Sequence, residues 1–111
     1  MSKRTIAVLL GLAIAAIAAL PALAATPKIA ATVGPGFTIS MKKPTKAGKY
    51  TLVVSDKSNI HNFRLKGPGV NVATTVPAKG SKTFKVTLKK GKYTFLCDPH
   101  PMSMRGSFTI K

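Results

Sequence analysis

From Pro27 onward, apolar and polar residues alternate with period two in short runs closed by glycine, proline or lysine, and no window sustains a helical period. The pattern predicts strands near Pro27–Val33, Phe37–Met41, Lys49–Ser55, Asn59–Leu65, Asn71–Val76, Ser81–Leu88, Gly91–Cys97 and Gly106–Ile110. Gly34-Pro35-Gly36, Lys46-Ala47-Gly48, Gly67-Pro68-Gly69, Pro77 to Gly80 and Lys89 to Gly91 separate them with the residues that turns require. Residues two apart on a strand share a face, so Tyr50, Leu52 and Val54 form one inward row, Phe84, Val86 and Leu88 another, and Phe108 with Ile110 a third. The same rule sets His61 beside Phe63 and Leu65, and Cys97 beside Tyr93 and Phe95, so two polar side chains face the core from strands that can be neighbours. This is an all-β chain, and short strands at this spacing fit a β-sandwich or small barrel.

The start of the chain follows another rule. Met1 to Arg4 carries two positive charges, Ile6 to Leu20 is an unbroken run of apolar and small residues, and Ala22-Leu23-Ala24 supplies a cleavage pattern. That order is expected of a secretory signal peptide over residues 1–24. The apolar run approaches the roughly 20 residues of a spanning helix, but Pro21 and the small residues beside it favour cleavage. A lipid-modified N-terminus would need a cysteine at the cut, whereas the sole cysteine is Cys97. The expected product is one domain over residues 25–111, exported to a periplasmic or secreted location, without stable membrane insertion, and monomeric.

Export makes Cys97 a puzzle. A domain of this size buries about 60–70% of its unfolded surface, and small exported domains commonly compensate with disulfides. Cys97 has no second cysteine to pair with. An unpaired thiol in an oxidising compartment is open to oxidation or intermolecular pairing unless it is buried or held by a metal.

The chain carries 18 Lys plus Arg against 2 acidic residues, a formal charge of +16. Loss of Lys3 and Arg4 with the signal peptide lowers this to +14. Such a field attracts acidic proteins, anionic surfaces or nucleic acid. Export argues against nucleic acid, and the two Tyr and five Phe are not interleaved with a basic run as a single-strand stacking platform requires. With only Asp56 and Asp98 as carboxylates, and no Ser-His-Asp set, phosphate loop or second metal cluster, the sequence does not read as an enzyme.

The chemistry concentrates in Cys97-Asp98-Pro99-His100-Pro101-Met102-Ser103-Met104-Arg105-Gly106, where thiol, imidazole and thioether follow one another at the end of a strand. With His61 the set becomes one Cys, two His and a Met. That inventory matches a trigonal His₂Cys copper site with a weak axial Met, in which soft sulfur suits Cu(I) and imidazole suits Cu(II). Taken singly, His61 reads as a hydrogen-bonded core histidine and Cys97 as a small buried hydrophobe. Together, both histidines and the only cysteine stand where a single ion can gather them. Zinc is a weaker fit, because it wants four strong donors. Pro99 and Pro101 fix their own φ and hold Asp98 and His100 extended, which stiffens the loop.

Ile60-His61-Asn62-Phe63 and the run from Cys97-Asp98-Pro99-His100 through Met104-Arg105-Gly106-Ser107-Phe108 resemble the cupredoxin family of type 1 (blue) copper proteins, close to plastocyanin, pseudoazurin and amicyanin. The resemblance implies a Greek-key β-sandwich of about eight strands that binds one copper ion near one end. His61 would come from an upstream strand, and Cys97, His100 and Met104 from the last loop. Met104 is preferred to Met102 because Met104-Arg105-Gly106 resembles the amicyanin run. The resemblance further implies that Asn62 steadies the ligand loop by hydrogen bonding. It also implies that the exposed edge of His100, framed by Pro99, Pro101 and Met102, is the port through which single electrons pass. An acidic redox partner would dock there, steered by lysines. The alternative function is a periplasmic copper carrier or sequestration protein, which passes on the ion rather than an electron.

Overall fold

The structure, a computed structural model, describes residues 25–111. The signal peptide expected over 1–24 lies outside the described residues.

Among the described residues eight strands form, numbered in chain order: β1 (Lys28–Val33), β2 (Ile39–Met41), β3 (Gly48–Asp56), β4 (Arg64–Gly67), β5 (Val70–Ala73), β6 (Gly80–Leu88), β7 (Gly91–Leu96) and β8 (Arg105–Ile110). They make two four-stranded sheets, ordered β2-β1-β3-β6 and β5-β4-β7-β8. β1 and β3 run parallel, and every other pairing is antiparallel. The chain is all-β as the alternation predicts, and of the sandwich and the small barrel that it left open, the sandwich implied by the resemblance is what forms. Its inward rows match too: Leu52, Val54, Val86, Leu88, Phe108 and Ile110 are buried between the sheets, with Tyr50 and Phe84 partly buried against them. Burying a Leu, Val or Phe side chain contributes about 1.5–3 kcal/mol, so these rows dominate the stability of a chain without a disulfide.

Two aromatic stacks anchor the second sheet behind the ligand loop. Phe63 stacks on Phe95 with centroids 5.9 Å apart, and Tyr93 stacks on Phe108 at 5.3 Å. Tyr93 is completely buried, and its hydroxyl accepts from the Lys89 N–H at 2.7 Å while facing the Pro68 and Lys89 carbonyls at 3.1 and 3.0 Å. Each ring lies flat on a glycine of a neighbouring strand: a Cβ at Gly67 would collide with Tyr93, and one at Gly106 with Phe95. Glycine at these positions lets the rings reach the backbone.

One predicted strand is displaced. The run Asn59–Leu65 was expected to pair throughout, but β4 begins at Arg64, and His61 stands in the loop before it. The cause is local. Asp56 Oδ1 accepts the Ser58 N–H at 3.0 Å, and Ser58 Oγ accepts the Ile60 N–H at 3.1 Å. Side chains that bond nearby backbone in this way compete with the sheet ladder and turn the chain. His61, Phe63 and Leu65 are nevertheless all fully buried, so the expected face holds although the strand does not.

Candidate metal centre

The site forms where two loops leave adjacent strands of one sheet. β4 and β7 are antiparallel partners, with Arg64 opposite Leu96. The residues before β4, His61 to Phe63, therefore meet those after β7, Cys97 to His100. The register of β7 with β8 continues one step beyond the Leu96–Arg105 pair, because the Cys97 N–H bonds the Met104 carbonyl at 3.0 Å. Within the loop, the His100 N–H bonds the Cys97 carbonyl at 3.1 Å, and the Met104 N–H bonds the His100 carbonyl at 3.0 Å. Three backbone hydrogen bonds thus close a loop already stiffened by Pro99 and Pro101.

Asn62 joins the two loops. Its side-chain amide donates to Asp98 Oδ2 at 2.8 Å and to the Thr74 carbonyl at 3.1 Å, and its carbonyl oxygen accepts the Asp98 N–H at 2.7 Å. Its backbone N–H points at Cys97 Sγ from 3.4 Å. Asp98 is clamped in turn by Arg64, whose Nε and second terminal nitrogen donate to its two oxygens at 2.8 and 2.9 Å. The Arg64 hydrogen bonds hold the Asp98 carboxyl below its ordinary value, with partial burial opposing them and Asn62 assisting.

His61 Nδ1, His100 Nδ1 and Cys97 Sγ converge. The two nitrogens are 3.2 Å apart, and the sulfur lies 3.8 Å from His61 and 3.7 Å from His100. A triangle with these sides has a circumradius of about 2.1 Å, within the roughly 2.0–2.3 Å of metal–imidazole and metal–thiolate bonds. The three donors could therefore hold one cation at bonding length. A set of one thiol and two imidazoles suits copper in a His₂Cys arrangement. His61 and Cys97 are wholly buried, whereas His100 is half-buried.

The two methionines separate by burial. Met104 is at 0% exposure and Met102 at 83%. The loop buries Met104 and leaves Met102 on the surface.

Residues 32–111 match the family model described as copper binding proteins, plastocyanin/azurin family. The chain belongs to that family. Among solved structures, reduced rusticyanin, determined by NMR, matches this family member at 22% identity with a TM-score of 0.53, covering 76% of this chain and 76% of that one. Auracyanin A, a blue copper protein from the green thermophilic photosynthetic bacterium Chloroflexus aurantiacus, matches at 20% identity and TM-score 0.53, covering 78% of this chain and 100% of the other. At these identities the likeness establishes a shared cupredoxin-like sandwich. No curated protein sequence matches the chain.

Two parts of this centre escaped the sequence. Phe37, on the loop between β1 and β2, stands edge-on to both imidazoles, with centroids 4.9 Å from His61 and 4.8 Å from His100. No spacing rule links it to residues this far along the chain. The Arg64–Asp98 clamp was likewise missed, although Asp98 is one of only two acids and its pairing with some cation was the available signal.

Proposed function

We propose that the chain holds one copper ion through His61 Nδ1, Cys97 Sγ and His100 Nδ1, with Met104 as the axial donor, and carries single electrons between redox partners. The convergence of two Nδ1 atoms and one thiol sulfur on a point about 2.1 Å from each carries this reading. Copper bound there would supply the Cu(I)/Cu(II) couple. The protein contributes rigidity: the closed ligand loop and the Asn62–Asp98–Arg64 chain resist movement of the donors as the charge changes.

The exposed large hydrophobics also support an electron port at His100. Phe37, Ile60 and Met102 are 59%, 52% and 83% exposed, and they lie respectively on the loop against both imidazoles, beside His61 and in the ligand loop. An acidic redox protein docking over this patch would be drawn by the surrounding positive field, and its association rate would fall as salt rises. The chain acts as a monomeric carrier in a periplasmic or secreted location and not as an enzyme. Delivery of copper itself is disfavoured, because a carrier must release its ion readily whereas His61 and Cys97 are at 0% exposure.

The deciding experiment is to add Cu(II) to residues 25–111 and record the visible spectrum. An intense thiolate-to-copper band is expected, absent in Cys97→Ser. A folded protein with no such band refutes the proposal.

A further inference from the structure

His61 directs Nδ1 at the Cys97 sulfur and at His100, which leaves Nε2 to carry the ring proton whenever Nδ1 is a donor to a metal. Nε2 is completely buried and has no hydrogen-bond partner. A buried polar group left in that condition is costly, and ligating histidines nearly always donate this second N–H to a carboxylate, a carbonyl or a water. Among the described residues only one other buried side-chain nitrogen or oxygen lacks a partner, and it is an acceptor: Asp56 Oδ2. The two orphans are chemically complementary.

The chain also brings their residues together. Asp56 ends β3 at 4% exposure, and the bonds from Ser58 to Asp56 and from Ile60 to Ser58 turn the segment that leads to His61. Burial raises the Asp56 carboxyl above its ordinary value, while the Ser58 N–H and the charges of His61 and Lys79 draw it back. A pocket of about 130 Å³ bordered by Asp56, Thr74 and Lys79, though not by His61, lies beside the Asp56 carboxylate. No direct bond joins Oδ2 to Nε2, and a water can carry such a link between two polar groups.

We propose that Asp56 is the positioning residue of His61, its Oδ2 receiving the His61 Nε2–H through one buried water and thereby fixing the tautomer that leaves Nδ1 free. This rests on the copper reading above and extends it to a residue outside the ligand set. The negative carboxylate makes the imidazole a stronger donor and favours Cu(II) over Cu(I), so its removal raises the reduction potential. Lys79 is the competing partner, because it borders the same pocket.

The test compares Asp56→Asn and Lys79→Gln with the parent. In the copper-loaded proteins, Asp56→Asn is expected to keep the visible band and to shift the relative affinity for the two oxidation states at least tenfold, about 59 mV for one electron. Lys79→Gln is expected to leave the potential unchanged. In the metal-free and Cu(I) forms, NMR of the parent is expected to show a His61 Nε2–H that exchanges slowly and contacts a long-lived water, and Asp56→Asn to lose that protection. Parent-like potential and exchange in Asp56→Asn overturn the proposal, as does a Lys79→Gln variant that reproduces the whole effect. Should Asp56→Asn not fold, the parent decides: a protected N–H in contact with a bound water upholds the link, and one that exchanges freely overturns it. A parent with no visible band refutes the copper reading instead, and the metal-free N–H measurement keeps the two failures apart.

Discussion

Replacing Asn62 by alanine tests whether the two ligand loops are held by a single side chain. The substitution removes three hydrogen bonds of 2.7, 2.8 and 3.1 Å from a residue at 2% exposure. Their losses are unequal. Asp98 Oδ2 keeps Arg64 as a donor at 2.9 Å, so the cost there is small. The Asp98 N–H and the Thr74 carbonyl lose the Asn62 partner and gain none from a methyl group. A buried group stranded in this way costs about 1–3 kcal/mol; Thr74 is buried whereas Asp98 is exposed and can turn to water, which puts the total near 2 kcal/mol. For a domain of this size that corresponds to a fall in Tm of roughly 8–16 °C. The assay is thermal and urea unfolding of the metal-free protein, so that bound copper does not mask the loss. Asp98→Asn serves as a partial control, because it can still accept from Asn62 while losing the charged clamp to Arg64. A destabilisation below about 1 kcal/mol would mean that solvent replaces the Asn62 bonds at little cost, and the account of loop preorganisation would be wrong.

Met104→Leu is expected to retain copper and change the reduction potential, whereas Met102→Leu, at a side chain 83% exposed, should do neither; potentials measured by voltammetry would reverse the axial assignment if the two outcomes were exchanged. Phe37→Ala removes an edge-to-face contact with both imidazoles from a side chain already 59% exposed, so the fold should persist. A loss of about 1 kcal/mol of cover would speed copper release to a chelator roughly fivefold, and an unchanged release rate would show that Phe37 does not shield the ion. Because Asp98 has a folded-state pKa below its unfolded value, its clamp stabilises the metal-free protein at neutral pH and loses that contribution as pH falls below about 4. The stability gap between the parent and Arg64→Leu should therefore shrink on acidification, and a constant gap from pH 7 to 3 would show that the ion pair is not its source.

The alternation of apolar residues was enough to determine most of the strands, their buried faces and the all-β class, because a period of two is a property of each strand alone. The gathering of Cys97, His100 and a methionine on one short loop was equally legible, since those residues are neighbours in sequence and their chemistry needs no fold to be recognised. The position of His61 was half legible: its inward face followed from Phe63 and Leu65, but its place in a loop did not, because Asp56 and Ser58 bond the backbone locally and alternation is blind to that competition. What the sequence could not contain is distance between segments far apart along it. Only the pairing of β4 with β7 brings Asn62 to Asp98 and His61 to Cys97, and only the sandwich closes Phe37 over both imidazoles. The same limit applies to the direction in which each ring points. That both histidines offer Nδ1 to a common centre, with one Nε2 left buried and unpartnered, follows from packing around the rings and from no feature of their spacing.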